Sequence, residues 1–576
     1  MNLLFLILFS MAALFLGYRL YGNFLSRILR LRDDSPTPAY TLRDDVDFVP
    51  AGKWYLLGQH FSAIAAAGPI VGPILAGMWF GWVPTLLWIL LGGIFIGGVH
   101  DMLAIAASVR HKGKSIAEVL REYMSKRGYI LFLLFLWFSL VYIITTFMDI
   151  TAGTFTDPIR GAGVASSSMM YLGIAVVMGL ILKKFNPPLG ITTLVFIPLV
   201  FVAIYLGPQF PIAMPAMGKM DPRAMWNVAL LIYCFIAAVI PMWILLQPRG
   251  YLGGFFLTLM VGVSLLGIVV GNFIQPFVIH YPAFTGWISP GGFPILPLLF
   301  TTVACGACSG FHAMVASGTT SKQIAKESDI KLVGYGGLLL ESFVAVIALA
   351  TVLILTVSKA DALQDPNQIF ANGVSIFLGR LGIPNELALN FALLAFATFV
   401  YDTLDVATRL GRYIFEELTG WRGKWSPYVA ALITLILPAI FVTTRMTDAA
   451  GHVIPAWKMF WSVFGSSNQL LAALVLLTVT LWLFKNKMRY GVALWPAIFM
   501  MIVAMCSLFF ILRPWIQEMT ALGRFVFNPM GITGALLAGL ALLLLFEGAS
   551  ILIKTRVKNV ETVITEKTRG FDDKRI

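Results

Sequence analysis

Apolar residues in this chain gather into runs of about 20, separated by short polar or glycine-rich segments. Such runs lie near 2–22, 58–81, 84–108, 129–153, 168–185, 189–207, 225–247, 252–274, 295–317, 334–357, 386–406, 427–444, 457–484, 490–512 and 530–553. Runs of this length, without the two-residue alternation of barrel strands, are the pattern of membrane-spanning helices. The pattern predicts an all-α polytopic membrane protein with about 15 transmembrane helices. The shortest runs are 168–185, 189–207 and 427–444.

Composition narrows the class. Only 12% of the 576 residues are charged, 59% are hydrophobic, and the mean hydropathy is +0.85. A soluble chain of this length would need several charged domain surfaces. A soluble enzyme, a disordered protein and a nucleic-acid binder are therefore excluded. The four cysteines (Cys234, Cys305, Cys308, Cys506) all fall in apolar stretches, which implies no disulfide framework.

The basic residues orient the runs. Residues 3–16 are apolar, no basic segment precedes them, and Arg19 and a basic run to Arg32 follow without a small-residue cleavage site. This predicts a retained first helix with its N-terminus outside. With strict alternation from there, 32 of the 41 Lys and Arg residues fall on the inner side, and the C-terminus is cytoplasmic. The net charge of +13 then reads as cytoplasmic loop charge, not a nucleic-acid surface.

Two glycine-rich segments echo one another. Gln59–Gly68 and Ser309–Gly318 align at a spacing of 250, matching Phe61 with Phe311, Ala63 with Ala313 and Ala66 with Ala316. Thr146-Phe147 and Thr398-Phe399 repeat at 252. The charge pattern runs helix 58–81 outward and helix 295–317 inward, so the copies are inverted. Both are weak as continuous helices: one contains Gly68-Pro69-Ile70-Val71-Gly72-Pro73, the other Cys305-Gly306-Ala307-Cys308-Ser309-Gly310. Paired interrupted helices in inverted copies point to the central site of a secondary transporter. Unwound backbone is tolerated at membrane depth where it lines a cavity or is buried in protein. Free N–H groups at Ile70, Val71, Phe311, His312 and Ala313 would suit a substrate carboxylate. The plainer reading of either break is a kink for close packing.

Ionisable groups inside spans mark function by default. Asp101, Asp149, Glu341, Asp402 and Asp405 lie in such runs. Asp149, near a helix end, reads as an ion-pair residue, and Asp405 has Arg409 one turn on as an intrahelical partner. Glu341 has no basic neighbour in its run, as a proton-coupling carboxyl would. His60, His100 and His312 sit in or beside the same segments. Asn468 and Gln469, after Phe464-Gly465-Ser466-Ser467, read as a polar patch facing the bundle interior at a weak point of helix 457–484. Cys305 and Cys308 have metal-pair spacing without a second pair, so no metal is assigned. With no Walker loop, HExxH or nucleophile triad in the loops, neither ATP drive nor catalysis is expected, and no cofactor.

These stretches resemble the carbon starvation protein A (CstA) family. The resemblance rests on HFSAIAAAGPIVGPILA (60–76), VHDMLAIAASVRHKGKSIAEVL (99–120), ACGACSGFHAMVASGTTSKQ (304–323), YGGLLLESFVAVIAL (335–349), DVATRLGR (405–412) and FGSSNQLLA (464–472). It implies a branch of the amino acid/polyamine/organocation transporters with a five-plus-five inverted repeat, like the leucine transporter core. It implies a symporter importing peptides or pyruvate during carbon starvation, driven by H⁺ or Na⁺, in a bacterial plasma (inner) membrane. The domains read as 1–57 (first helix and basic segment), 58–207 (first repeat), 208–290 (two inserted helices), 291–484 (second repeat), 485–553 (two peripheral helices) and 554–576 (basic tail). Substrate contacts are expected from His60, Gly68, Pro69, Gly72, Gly306, Ser309, Gly310, Phe311, His312, Asn468 and Gln469. Ion or proton coupling is expected from Asp101, Glu341 and Asp405; Asp402 is not carried over. The expected partners are substrate, coupling ion and lipid. A channel, or a membrane-embedded nutrient sensor working through a partner kinase, is the alternative.

Overall fold

The computed structural model describes residues 2–572, except 45–47, 66, 219, 242, 364, 445 and 448–452. Ala66, Lys219, Arg445 and the last residues of the tail, 573–576, lie outside the described residues. Helices occupy all fifteen apolar runs. Among the described residues, thirteen are continuous and long enough to cross a membrane. The two exceptions are the two glycine-rich runs.

The first is split into Lys53–Ile64 and Gly68–Phe80, bent by 50°. Proline explains the position. Pro69 has no N–H to give, and its ring excludes the carbonyl four residues earlier, that of Ala65, where the first half stops. The interruption therefore precedes Gly68; the sequence put it at 68–73, but those residues form the start of the second half-helix, with Pro69 in the first turn. The second run is broken outright into Ile295–Thr302 and Gly310–Val315, the latter continuing as a π-helical turn, Ala316–Thr320.

Burial sorts the helices. In Lys331–Leu353 94% of the apolar stretch is buried, against 28% in Leu189–Gln209. Lys126–Phe155, Asn385–Thr419 and Ala456–Lys485 join the inner group with the two interrupted helices. Outer helices present large apolar side chains such as Leu194, Phe273 and Phe546 outward, which is neutral in lipid and costly in water. A fourteen-residue helix, Pro366–Gly379, was not predicted; it packs inside against Asn385–Thr419 and is too short and too rich in amides to read as a span. One short antiparallel pair, Met446–Thr447 with Val453–Ile454, closes a loop.

Candidate functional site

The two interruptions meet. A Cβ on Gly68 would run into Cys305, and one on Gly72 into the Thr302 carbonyl. A Cβ on Gly306 would come within 2.6 Å of the Ala345 methyl and 3.6 Å of the Pro69 Cα. Glycine is needed at these three positions because backbone closes off Gly72, and the Cys305 and Ala345 side chains close off Gly68 and Gly306. Both breaks are buried in protein, as unwound backbone in a membrane requires.

The helix Ala456–Lys485 satisfies the second break and is itself continuous, with no weak point at Gly465. Asn468 Oδ1 accepts from the Phe311 N–H at 3.0 Å and shares hydrogen bonds with the Ser309 hydroxyl. Gln469 Nε2 donates to the carbonyls of Phe300 and Cys308 at 3.0 and 3.2 Å. These amides stand where helical partners are missing. Most of the N–H groups expected to be free are therefore taken: Phe311 by Asn468, His312 by the Ser309 carbonyl, and Ile70 and Val71 by the Ala67 carbonyl. Four of the five N–H groups expected for a carboxylate are thus already committed within the protein.

Beside the breaks lies a chain of titratable groups. His100 Nδ1 is 2.7 Å from Asp101 Oδ1, and His312 Nδ1 is 2.9 Å from Asp101 Oδ2. The other ring nitrogen of His312, Nε2, is 3.3 Å from Glu341 Oε2. All four side chains are buried. Three elements bring them together: Gly98–Arg110, the half-helix Gly310–Val315, and Gly337–Leu353. Each adjoins a π-helical stretch, at Gly93–Gly97, Ala316–Thr320 and Lys331–Gly336. Such bulges break helical register and recur at functional sites. Gly97 lets the Ala307 carbonyl of the second break lie against its backbone.

Hydrogen-bond valence assigns protons. A carboxylate only accepts, so both Nδ1 atoms facing Asp101 carry hydrogen. Across the 3.3 Å gap, either His312 Nε2 or Glu341 holds a proton; otherwise two lone pairs face one another. Glu341 is thus not the lone carboxyl that its sequence context implied. Its partner comes from another helix, 29 positions back in the chain, where a local scan finds nothing. His60 hydrogen-bonds the Thr320 hydroxyl at 2.9 Å, tying the half-helix before the first break to the π-turn after the second.

Asp405 lies elsewhere. Its expected partner Arg409 turns away to the carbonyls of Ala237 and Ile240, at the end of helix Pro222–Val239. Asp405 pairs instead with Arg249, which also stands 3.0 Å from Asp402. By the sequence Arg249 falls in the short segment between the two inserted helices, 225–247 and 252–274. The structure places it in Leu246–Ile274, buried, packed on Lys53–Ile64 and Asn385–Thr419. Asp149 meets its ion-pair expectation: Arg223 Nε binds it at 2.8 Å, and Asn227 and the Trp457 N–H add two further bonds. At another margin, Arg110 grips Glu327 through Nε and Nη2 at 3.1 and 3.0 Å. His100 and Arg249 are the residues missing from the sequence-derived site. His100 adjoins Asp101 in the chain, whereas nothing in the Arg249 segment signals its partners.

The family model described as carbon starvation protein CstA matches residues 2–369 and 358–507. "Peptide transporter CstA" of Bacillus subtilis is 32% identical over 539 residues, covering 85% of this chain and 87% of that one. "Peptide transporter CstA" of Helicobacter pylori strain J99 is 33% identical over 574 residues, covering 88% and 81%. "Pyruvate/proton symporter BtsT" of Escherichia coli K12 is 30% identical over 586 residues, covering 87% and 80%. Among solved structures, a manganese transporter of Eremococcus coleocola aligns at a TM-score of 0.45 and 15% identity, covering 89% of this chain and 99% of that one. With the family model matching nearly the whole membrane region and relatives aligned along most of their length, this chain belongs to the carbon starvation protein CstA family.

Proposed function

We propose that this protein is a secondary active symporter that imports a small carboxylate-bearing carbon nutrient, a short peptide or pyruvate, on a proton gradient across a bacterial plasma membrane. One observation carries the reading: the buried His100–Asp101–His312–Glu341 chain lies beside the meeting point of two interrupted helices. Protons are favoured over Na⁺ by the full occupancy of Asp101 and by the imidazole facing Glu341. Both Asp101 oxygens take imidazoles, and the nearer Glu341 oxygen faces a third ring nitrogen. Histidine exchanges protons near physiological pH, which suits a site that loads on one side and unloads on the other. Protonated His312 is also the cation that a substrate carboxylate would meet. The substrate classes come from the names of the relatives, a peptide transporter and a pyruvate/proton symporter.

In this reading 58–207 and 291–484 are inverted five-helix repeats whose first members are the interrupted helices. The 250-residue echo, the opposite charge orientation and the contact of Gly68 with Cys305 support it. The basic-residue asymmetry supports an outer N-terminus and a cytoplasmic C-terminus. The test is uptake of labelled pyruvate and of a labelled dipeptide into proteoliposomes, with pH and Na⁺ gradients imposed separately. Concentrative uptake of either under the pH gradient is expected. Equilibration without accumulation under both gradients would make the protein a channel or facilitator and end the symport reading.

A further inference from the structure

Asp402, Arg249 and Asp405 form a second buried charge cluster, away from the histidine chain. Arg249 is 1% exposed, Asp405 1% and Asp402 6%. Arg249 Nη1 bonds Asp405 Oδ2, and Nη2 is 3.0 Å from Asp402 Oδ1 without hydrogen-bond alignment. The Tyr233 hydroxyl adds a 2.8 Å bond to Asp405. The Ser62 hydroxyl donates to Asp402 Oδ2 at 3.0 Å.

Among the described residues, the other cation near the cluster is Arg409, which hydrogen-bonds backbone carbonyls and neither carboxyl. From Pro222–Val239 come Tyr233 and Cys234; from Gly161–Phe185, Tyr171, whose hydroxyl is committed to the Arg249 carbonyl. From Asn385–Thr419 come Tyr401, whose ring lies 5.3 Å from the guanidinium carbon, and Arg409. The Arg409 guanidinium is given to the carbonyls that end helix Pro222–Val239, where its charge offsets the helix dipole. Two carboxyls therefore face one guanidinium in a dry place. With both ionised, Asp402 would be a buried anion whose nearest cation, Arg249, is bonded to Asp405 and not aligned with it, a state that proteins relieve by binding a proton. Asp405 takes two strong donors and is the anion. Asp402 takes one hydroxyl and an unaligned guanidinium nitrogen, and it is the more accessible of the two.

We propose that this cluster is a second proton-binding site, with the exchangeable proton on Asp402 and with Ser62 linking its occupancy to the half-helix Lys53–Ile64. Ser62 lies one turn before the break, and Gly253 of the Arg249 helix makes room for the pair, since a Cβ there would strike both Asp402 and Ser62. Losing the proton leaves a carboxylate that holds the Ser62 hydroxyl and the guanidinium more tightly; regaining it loosens both. The half-helix is thereby latched or released, and the proton passes to whichever side is open. Arg249 already fills the place that an alkali cation would take between the two carboxyls. The site stands on geometry, while its part in transport rests on the proton-coupled reading above.

Infrared difference spectra of the purified protein, taken as pH is raised through neutrality, test it without any substrate. A protonated-carboxyl C=O band should vanish on titration. Asp402→Asn should remove that band, Glu341→Gln should leave it, and Ser62→Ala should shift its frequency without abolishing it. An unchanged band in folded D402N, or loss of the wild-type band on adding Na⁺ at fixed pH, would overturn the proposal. If D402N does not fold, absence of any shift in S62A overturns it. In proteoliposomes, D402N should carry one proton fewer per substrate than wild type, read from the reversal potential. If the infrared result holds while uptake ignores the pH gradient, the transport reading fails and the site remains.

Discussion

His312 Nε2 stands 3.3 Å from Glu341 Oε2 while its Nδ1 is committed to Asp101. An imidazole and a carboxyl on two different helices thus face one another without an aligned hydrogen bond, one of them on the short half-helix after the second break. Moving that half-helix changes the distance between the two groups, the mechanical link that the proposed proton coupling uses.

Glu341→Gln supplies a permanent hydrogen-bond donor where the proton would sit. Gradient-driven accumulation should fall by about tenfold or more, the equivalent of roughly 1.4 kcal/mol of lost coupling. Exchange of internal for external substrate should persist. Counterflow and uphill uptake, measured on one preparation, separate the two.

Asp101→Asn strikes the centre of the chain. The amide oxygen serves one imidazole and leaves the other Nδ1–H unpaired among buried groups. Loss of one member of a buried ionic network costs about 3–5 kcal/mol. Thermal unfolding in detergent should drop clearly, and transport should fail even at equal surface expression.

Much of the fold was legible because membrane helices announce themselves by length and apolarity. The breaks were legible because Gly68-Pro69 and Cys305–Gly310 are poor helix. Partners were not legible, because they depend on how helices rotate against one another. Arg249 reads as a loop charge until two carboxylates of a distant helix require it. Asp405 has Arg409 at the right spacing, yet Arg409 faces the end of another helix. The free N–H groups were inferred from the breaks alone, without the Asn468 side chain that fills the vacant position.

Asn468→Ala tests that cap. It leaves the Phe311 N–H and the Ser309 hydroxyl without their partner in a buried place, at a cost of about 1–3 kcal/mol. The melting temperature should fall, and amide hydrogen exchange should rise locally at 309–312, where mass spectrometry can read it.

Gly72→Ala sets a methyl against the Thr302 carbonyl, backbone that cannot move aside cheaply. Overpacking of this kind costs about 1–3 kcal/mol, and uptake should be lost or greatly slowed. Gly58→Ala, on the half-helix before the first break, meets nothing within 4 Å and should leave uptake unchanged. Equal rates for G72A and wild type would show that the two breaks do not need their close approach.

Substrate-induced proton movement tests the central claim most directly. Proteoliposomes carrying an external pH indicator and no imposed gradient receive pyruvate or a dipeptide. Wild-type protein should alkalinise the medium as substrate enters with protons, and Glu341→Gln should take up substrate down its gradient with the signal abolished. Substrate entry into wild-type liposomes with no pH change would contradict proton coupling through His312 and Glu341.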